Sequence, residues 1–128
     1  MHEFRPKPLF WMGSSRKDLK AFPDEVQDVM GRALLDAQLE DKHPGATPLK
    51  GFGGAGVLEM VDDFDGNTYR TVYTVRFKGA VYVLHAFQKK STHGIATPKR
   101  ELDLVRERYR AAEEHYLHWV KRLRNDNE

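Results

Sequence analysis

The chain has 128 residues and a mass of 14.8 kDa, and 40% of its residues are hydrophobic. Its 21 basic and 19 acidic residues leave a formal net charge of +2, too small to indicate nucleic-acid binding by itself. The lack of cysteine excludes disulfides, thiolate nucleophiles and cysteine zinc sites, and it fits a reducing compartment. This length and composition predict a single domain over residues 1–128.

The first ten residues, MHEFRPKPLF, carry no pattern typical of a targeting signal. They contain charges and two prolines where a signal peptide has an apolar run. No stretch of the sequence approaches the roughly 20 apolar residues that span a bilayer. We therefore expect a cytoplasmic protein without a membrane partner.

The N-terminal half predicts one strand followed by two helices. Residues 8–12 (PLFWM) form the strand, and Ser15 with Asp18 resembles a capping box that begins a short helix. Pro23 begins the second helix. This helix has one apolar stripe at helical spacing, which consists of Val26, Val29, Met30, Ala33, Leu34 and Ala37. The stripe predicts a helix lying on a sheet.

Residues 41–56 (DKHPGATPLKGFGGAG) are predicted to be a flexible loop. The glycines match the spacing G-x-G-x-x-G, but they precede a strand. The dinucleotide-binding fingerprint instead follows a strand and opens a helix. The glycines therefore do not indicate a nucleotide site, and we expect no cofactor.

Three strands follow in close succession: VLEMVDD, TYRTVYTVRF and AVYVLHAFQKK. The short turns between them leave no room for crossover helices, so the strands form an antiparallel meander. Thr97 and Pro98 then begin a long helix. The order β-α-α-β-β-β-α predicts an α+β fold, with a small antiparallel-rich sheet and the helices packed on one face of it.

Basic residues collect on one parity of the last two strands. Strand side chains alternate between faces, so Arg70 and Arg76 share a side of their strand. The next strand places three residues on one side: His85, Phe87 and Lys89. If the two sides coincide, the sheet presents cations and an aromatic ring, which suits the phosphates and unpaired bases of RNA.

Further basic residues surround this face. Lys90 and His93 would stand at its rim, and Lys50 would reach in from the glycine-rich loop. The alternative is an ordinary solvated face whose arginines pair with Glu59 or Asp62 on the adjacent strand.

Four segments, PLFWMGSSRKDLKAFP, LKGFGGAGVLEM, TYRTVYTVRF and VLHAFQKKS, resemble the phage-derived branch of the RelE/HigB toxin superfamily of type II toxin–antitoxin systems. The resemblance covers roughly residues 7 to 113. Such toxins are typically ribosome-dependent endoribonucleases that cut messenger RNA in the decoding site without a metal. HigB-like toxins are usually neutralised by a helix-turn-helix antitoxin. The resemblance thus implies a RelE-like fold, mRNA on the ribosome as substrate and such an antitoxin as partner.

The resemblance also implies roles for single residues. Arg70, in TYRTVY, corresponds to the family's phosphate-contacting arginine on the middle strand. Lys89 and Lys90 stand where the family often has a catalytic arginine or lysine, and Lys50 corresponds loosely to a lysine before the sheet. Some relatives place a tyrosine or a histidine pair beyond the last strand, whereas this chain has the sequence STH at 91–93, which leaves the proton-transfer roles unassigned.

RNA cleavage without a metal requires a base for the attacking 2′-OH, an acid for the leaving 5′-oxygen, and cations for the phosphate. Arg70 suits the last task because a guanidinium contacts phosphate bidentately and stays charged. His85 or His93 could be the titrating group. His85 could equally be a buried, hydrogen-bonded residue, and the lysine pair could guard a strand edge.

Other functions receive less support from the sequence. His115 and His118 lack a third ligand, and DDFDGN lacks the spacing and closing glutamate of a calcium loop, so we expect no metal site. A non-catalytic RNA- or protein-binding module, such as a degenerate toxin or a phage accessory protein, is the alternative function. The lack of an obvious general base favours it.

Residues 114–128 are predicted to be a helical extension of the domain. A heptad seam runs along the closing helix through Leu102, Val105, Tyr109, Ala112, Tyr116, Trp119 and Leu123. We expect the last three to form an exposed strip that docks the antitoxin or a second copy of the chain. The alternative is that the N-terminal segment, with Phe4 and Phe10, folds over this strip.

Overall fold

Five strands and three helices form over residues 5–54, 56–89 and 97–126, which the computed structural model describes. In chain order they are β1 (Leu9–Trp11), α1 (Ser15–Lys20), α2 (Asp24–Gln38), β2 (Ala46–Pro48), β3 (Val57–Phe64), β4 (Asn67–Thr74), β5 (Val81–Lys89) and α3 (Lys99–Asp126). The predicted order is confirmed with one addition, because β2 lies inside the stretch predicted to be a flexible loop.

The five strands make one mixed sheet in the order β1-β5-β4-β3-β2. Strands β3, β4 and β5 are the predicted antiparallel meander. Strand β1 pairs parallel with β5, with Leu9 opposite Val81, and β2 pairs antiparallel with β3. Asp65 and Gly66 form the two-residue β3–β4 turn, and their φ angles of 50° and 80° suit a type I′ hairpin. The α+β class and the antiparallel-rich sheet are confirmed.

Helices cover both faces of the sheet, so the prediction that they pack on one face is wrong. Helices α1 and α2 share an apolar cluster with Val81 and Val83 of β5. Helix α3 shares a second cluster with Tyr82 and Leu84, which point to the opposite face. The physical reason is that both parities of β5 are apolar, and a sheet buried on both faces needs a cover on each.

The C-terminal part of α3 packs on the domain and does not present the expected apolar strip. Tyr116 stacks on Phe77 with ring centroids 5.1 Å apart, and Trp119 meets Phe10 edge-on at 5.5 Å. The alternative, in which the N-terminal segment covers the strip, is confirmed at Phe10, because the parallel pairing of β1 carries this ring under α3. Phe4 lies outside the described residues. Leu123 remains 44% exposed.

No helix in the described ranges is both long enough and apolar enough to cross a membrane.

Tyr73 provides a test of the core beneath α2. Its side chain is fully buried, and among the described residues its hydroxyl has no hydrogen-bond partner. Burial, with a smaller contribution from the Asp36 charge, raises the pKa of Tyr73 from 10.0 to about 12. The folded state therefore holds this proton more tightly than the unfolded state. Its stabilising effect is complete below pH 10.0 and is lost as the pH rises towards about 12.

We expect Tyr73→Phe to leave the free energy of unfolding at neutral pH unchanged or to raise it by about 1 kcal/mol, because a buried hydroxyl without a partner costs free energy to remove from water. In alkali the variant should lose less stability than the parent. Tyr82, whose pKa burial also raises to about 12, keeps part of the loss. Denaturant titrations on both sides of pH 10.0 measure the difference. Equal alkaline losses in parent and variant would contradict the assignment.

Candidate functional site

Strand register brings the predicted basic residues to one face. Arg70 lies opposite Phe87, and Thr68 lies opposite Lys89. A bulge in β5 places Val72 opposite His85 and Tyr73 opposite Val83, so Leu84 is the extra residue. Because directly opposed residues share a face, Arg70, His85, Phe87 and Lys89 all lie on the side that α3 covers. The predicted coincidence of the two strand sides is confirmed.

Arg70 is only 3% exposed, so it is neither displayed on an open RNA-binding face nor part of the solvated face that the alternative described. Its Nη1 donates to Glu59 Oε1 at 2.9 Å, and the Thr97 hydroxyl donates to Glu59 Oε2 at 2.6 Å. This is the alternative in which an arginine pairs with Glu59. A buried guanidinium requires such a partner, because an isolated charge is very costly to remove from water.

His85 is 5% exposed and uses both ring nitrogens inside the protein. Arg108 Nη1 lies 3.2 Å from Nδ1, and the Glu101 carboxylate contacts Nε2. A guanidinium can only donate, so Nδ1 is the acceptor and the proton is assigned to Nε2, which donates to Glu101. The same Arg108 donates to Ser14 of the α1 N-cap at 3.1 Å. His85 therefore ties β5 to α3, and it takes the buried, hydrogen-bonded position that the sequence left open as an alternative to an RNA contact.

The other predicted RNA contacts occupy separate positions. Lys50 is exposed and lines a cleft of about 330 Å³ together with Glu59 and Thr97; we call this the Lys50 cleft. Arg76 is exposed beyond the end of β4, next to Tyr109 of α3. Lys89 is half-buried at the end of β5. Lys90 and His93 lie outside the described residues.

A larger cleft, of about 660 Å³, opens between α1, the end of β5 and the first turns of α3. Phe87 lines it and stacks on His85 at 4.7 Å. Four carboxylates also line it, against one arginine: Asp18, Glu101, Asp103 and Glu107, with Arg100. This excess of negative charge disfavours an RNA backbone, so Phe87 is placed poorly for stacking on a base.

Glu59 is the site residue that the sequence analysis treated only as a pairing partner. It lies in β3 between Leu58 and Met60, and it is 8% exposed. The sequence signal that could have identified Glu59 is a carboxylate inside an otherwise apolar part of a strand. Glu59 thus brings a proton acceptor to the Lys50 cleft beside the exposed Lys50, and its own carboxylate is paired with the buried Arg70. Within the described ranges, no group of three or more acidic or histidine side chains could hold a metal ion.

Residues 17–110 match the family described as "Phage derived protein Gp49-like (DUF891)". The match covers most of the chain, and the protein belongs to this family. The predicted relationship to a phage-derived family is thereby confirmed. No curated protein matches the chain in sequence.

Among the solved structures similar to this one are two toxin structures. One is a free-state mutant of the Escherichia coli toxin RelE, with 20% identity, a TM-score of 0.48, and coverage of 64% of this chain and 82% of that chain. The other is the toxin–antitoxin complex RelBE2 from Mycobacterium tuberculosis, with 16% identity, a TM-score of 0.44, and coverage of 71% and 100% respectively.

Burial of Arg70 changes the expected effect of its removal. Arg70→Ala leaves the Glu59 carboxylate buried without its cation, and breaking such a pair costs about 3–5 kcal/mol of unfolding free energy. Replacing both partners, in the double variant Glu59→Leu with Arg70→Met, should restore most of this loss, because apolar side chains of similar volume need no partner. Denaturant titration of the three proteins measures the effect. An Arg70→Ala variant within about 0.5 kcal/mol of the parent, as at a surface position, would contradict the buried pair.

Proposed function

We propose that this protein is the toxin of a type II toxin–antitoxin system and that it inhibits translation by cutting mRNA on the ribosome in the cytoplasm. Membership in the Gp49-like family supports the proposal, since the sequence resembles the phage-derived toxin branch. The observation that carries it is the Lys50 cleft, which Glu59 lines together with an exposed lysine, while Arg70 Nη1 lies 2.9 Å from the Glu59 carboxylate. A helix-turn-helix antitoxin is the proposed partner.

The cleft suits attack of a ribose 2′-OH on the adjacent phosphate. Glu59 takes the proton of the attacking hydroxyl as the 2′-oxygen–phosphorus bond forms. Arg70 and Lys50 hold the phosphate oxygens, whose negative charge increases in the transition state. The bond from phosphorus to the 5′-oxygen breaks, and the leaving oxygen takes a proton from Lys89, the last residue of β5, or from Lys90, which lies outside the described residues. The products are a 2′,3′-cyclic phosphate and a free 5′-hydroxyl, and no metal takes part.

Release of the Glu59–Arg70 pair is a requirement of this mechanism. In the structure the two side chains satisfy each other beneath Thr97, so Glu59 becomes a base only when RNA phosphate competes for the guanidinium. Because Glu59 is already paired with Arg70, the described residues of the Lys50 cleft offer no free base, and this observation favours the second candidate, a non-catalytic RNA- or protein-binding module. In that case the pair would be purely structural.

Lys50 allows a test that does not disturb the core. Inducing the parent protein alone should arrest growth, and Lys50→Ala should relieve the arrest, because the phosphate loses an exposed cation that the fold does not need. Lys42→Ala is the matched control, since Lys42 is an exposed lysine in the same connecting segment but outside the Lys50 cleft. The readouts are growth and mRNA cleavage, with thermal unfolding to show that both variants fold.

Toxicity that persists in a well-expressed Lys50→Ala variant would remove the Lys50 cleft from the mechanism. A parent protein that is folded and harmless would favour the non-catalytic module.

A further inference from the structure

The two exposed flanks of α3 differ in charge. The flank towards α1 carries Asp103 and Glu107, which line the larger cleft. The flank towards the glycine-rich loop carries Arg106 and, one turn further on, the exposed Arg110. Asp103, at the border of the two flanks, accepts a bond from Arg106 at 3.3 Å and partly offsets its charge, and Glu113 follows Arg110 along the helix. The cations Lys50, Arg76, Arg106 and Arg110 outnumber these two carboxylates.

The glycine-rich loop closes around Arg76. The Arg76 guanidinium donates to the carbonyl oxygen of Phe52 and lies over the Tyr109 ring, 5.7 Å from its centroid. At Gly56 this approach leaves no room for a side chain, because a Cβ would lie 2.1 Å from Arg76 Cγ. The loop is therefore held against α3 by an arginine, and the glycine at 56 makes that contact sterically allowed.

Phe52 is the aromatic residue of this surface. The residue is half-exposed and packs in part against the apolar cluster beneath α3, and the Arg106 guanidinium lies 5.2 Å from its ring centroid. The Arg106 side chain is itself 42% exposed. An arginine beside an accessible aromatic ring combines a phosphate contact with a stacking platform, which is the combination found in proteins that bind single-stranded nucleic acid.

We propose that this surface binds the backbone of single-stranded RNA and that the Phe52 ring stacks on one of its bases. We call it the loop–helix patch, and it consists of Lys50, Phe52, Arg76, Arg106 and Arg110. Lys50 belongs to both the patch and the Lys50 cleft, so RNA bound along the patch leads into the cleft. The choice of RNA as ligand rests on the proposed function. An acidic protein surface would satisfy the arginines, but it gives no role to an accessible aromatic ring.

The test is the salt dependence of binding to a labelled single-stranded oligouridylate, measured by fluorescence anisotropy with the full chain. The double variant Arg106→Ala with Arg110→Ala removes two phosphate contacts and leaves Arg76, which anchors the loop, in place. The log–log salt slope should become less steep by about 1.4, from about 0.7 for each contact, and affinity should fall by about 25-fold at 0.1 M salt. The matched control is Arg16→Ala with Arg32→Ala, two exposed arginines on α1 and α2, which should bind like the parent.

Phe52→Leu provides a second measurement with a different signature. It should lower the affinity by about tenfold and leave the salt slope unchanged, because stacking releases no counterions. The proposal is overturned if the patch variant keeps the parent's slope and affinity, or if it loses no more than the control. It is equally overturned if RNA binding is unchanged while binding to the antitoxin weakens. This assay needs no cleavage, so a parent that binds RNA through the patch without cutting it would refute the proposed enzyme and leave the patch intact.

Discussion

The buried ion pair between Arg70 and Glu59 is the interaction on which the rest of this structure depends. The two residues come from adjacent strands, β4 and β3, and both are less than a tenth exposed. The gain from such a pair exceeds the cost of removing both charges from water only when the geometry is good and further hydrogen bonds are made. Thr97 supplies one of these, immediately before α3 begins. The pair therefore fixes the β3–β4 pairing and the start of α3 together.

The buried side and the exposed side of helix α3 have different roles. Its buried side joins the sheet through Val105 and Ala112 and through the contacts of Glu101 and Arg108 with His85. Its loop-facing flank carries two arginines of the loop–helix patch, Arg106 and Arg110. The same helix thus covers the polar residues on the sheet face and presents a separate basic surface to solvent. The accessible cations therefore lie at the margin of the sheet and not at its middle, where Arg70 is buried.

Much of the fold could be predicted from the sequence, because local patterns determine it. Short turns required the β3–β4–β5 meander, and side-chain alternation gave the shared face of Arg70 and His85. Other features depend on contacts distant in sequence. The parallel pairing of β1 with β5 brings Phe10 beneath Trp119. Strand β2 forms because its backbone can pair with the edge of β3. The cover over Arg70 was missed because alternation assigns a side chain to a face without showing what lies on that face. For the site, Lys50 could be selected from the sequence, whereas the pairing of Arg70 with Glu59 was only an alternative there, and the burial of this pair was not predicted.

The proposed cleavage of ribosome-bound mRNA by 2′-OH attack without a metal determines the chemistry of the cut ends. Purified protein would be added to ribosomes carrying a defined mRNA, and the downstream fragments would be ligated to an adaptor with and without prior phosphorylation by a polynucleotide kinase. We expect fragments that form only in the presence of ribosomes and that ligate only after phosphorylation, because their 5′ ends are hydroxyls. Fragments with 5′-phosphate ends, or equal cleavage of the same RNA free in solution, would contradict it.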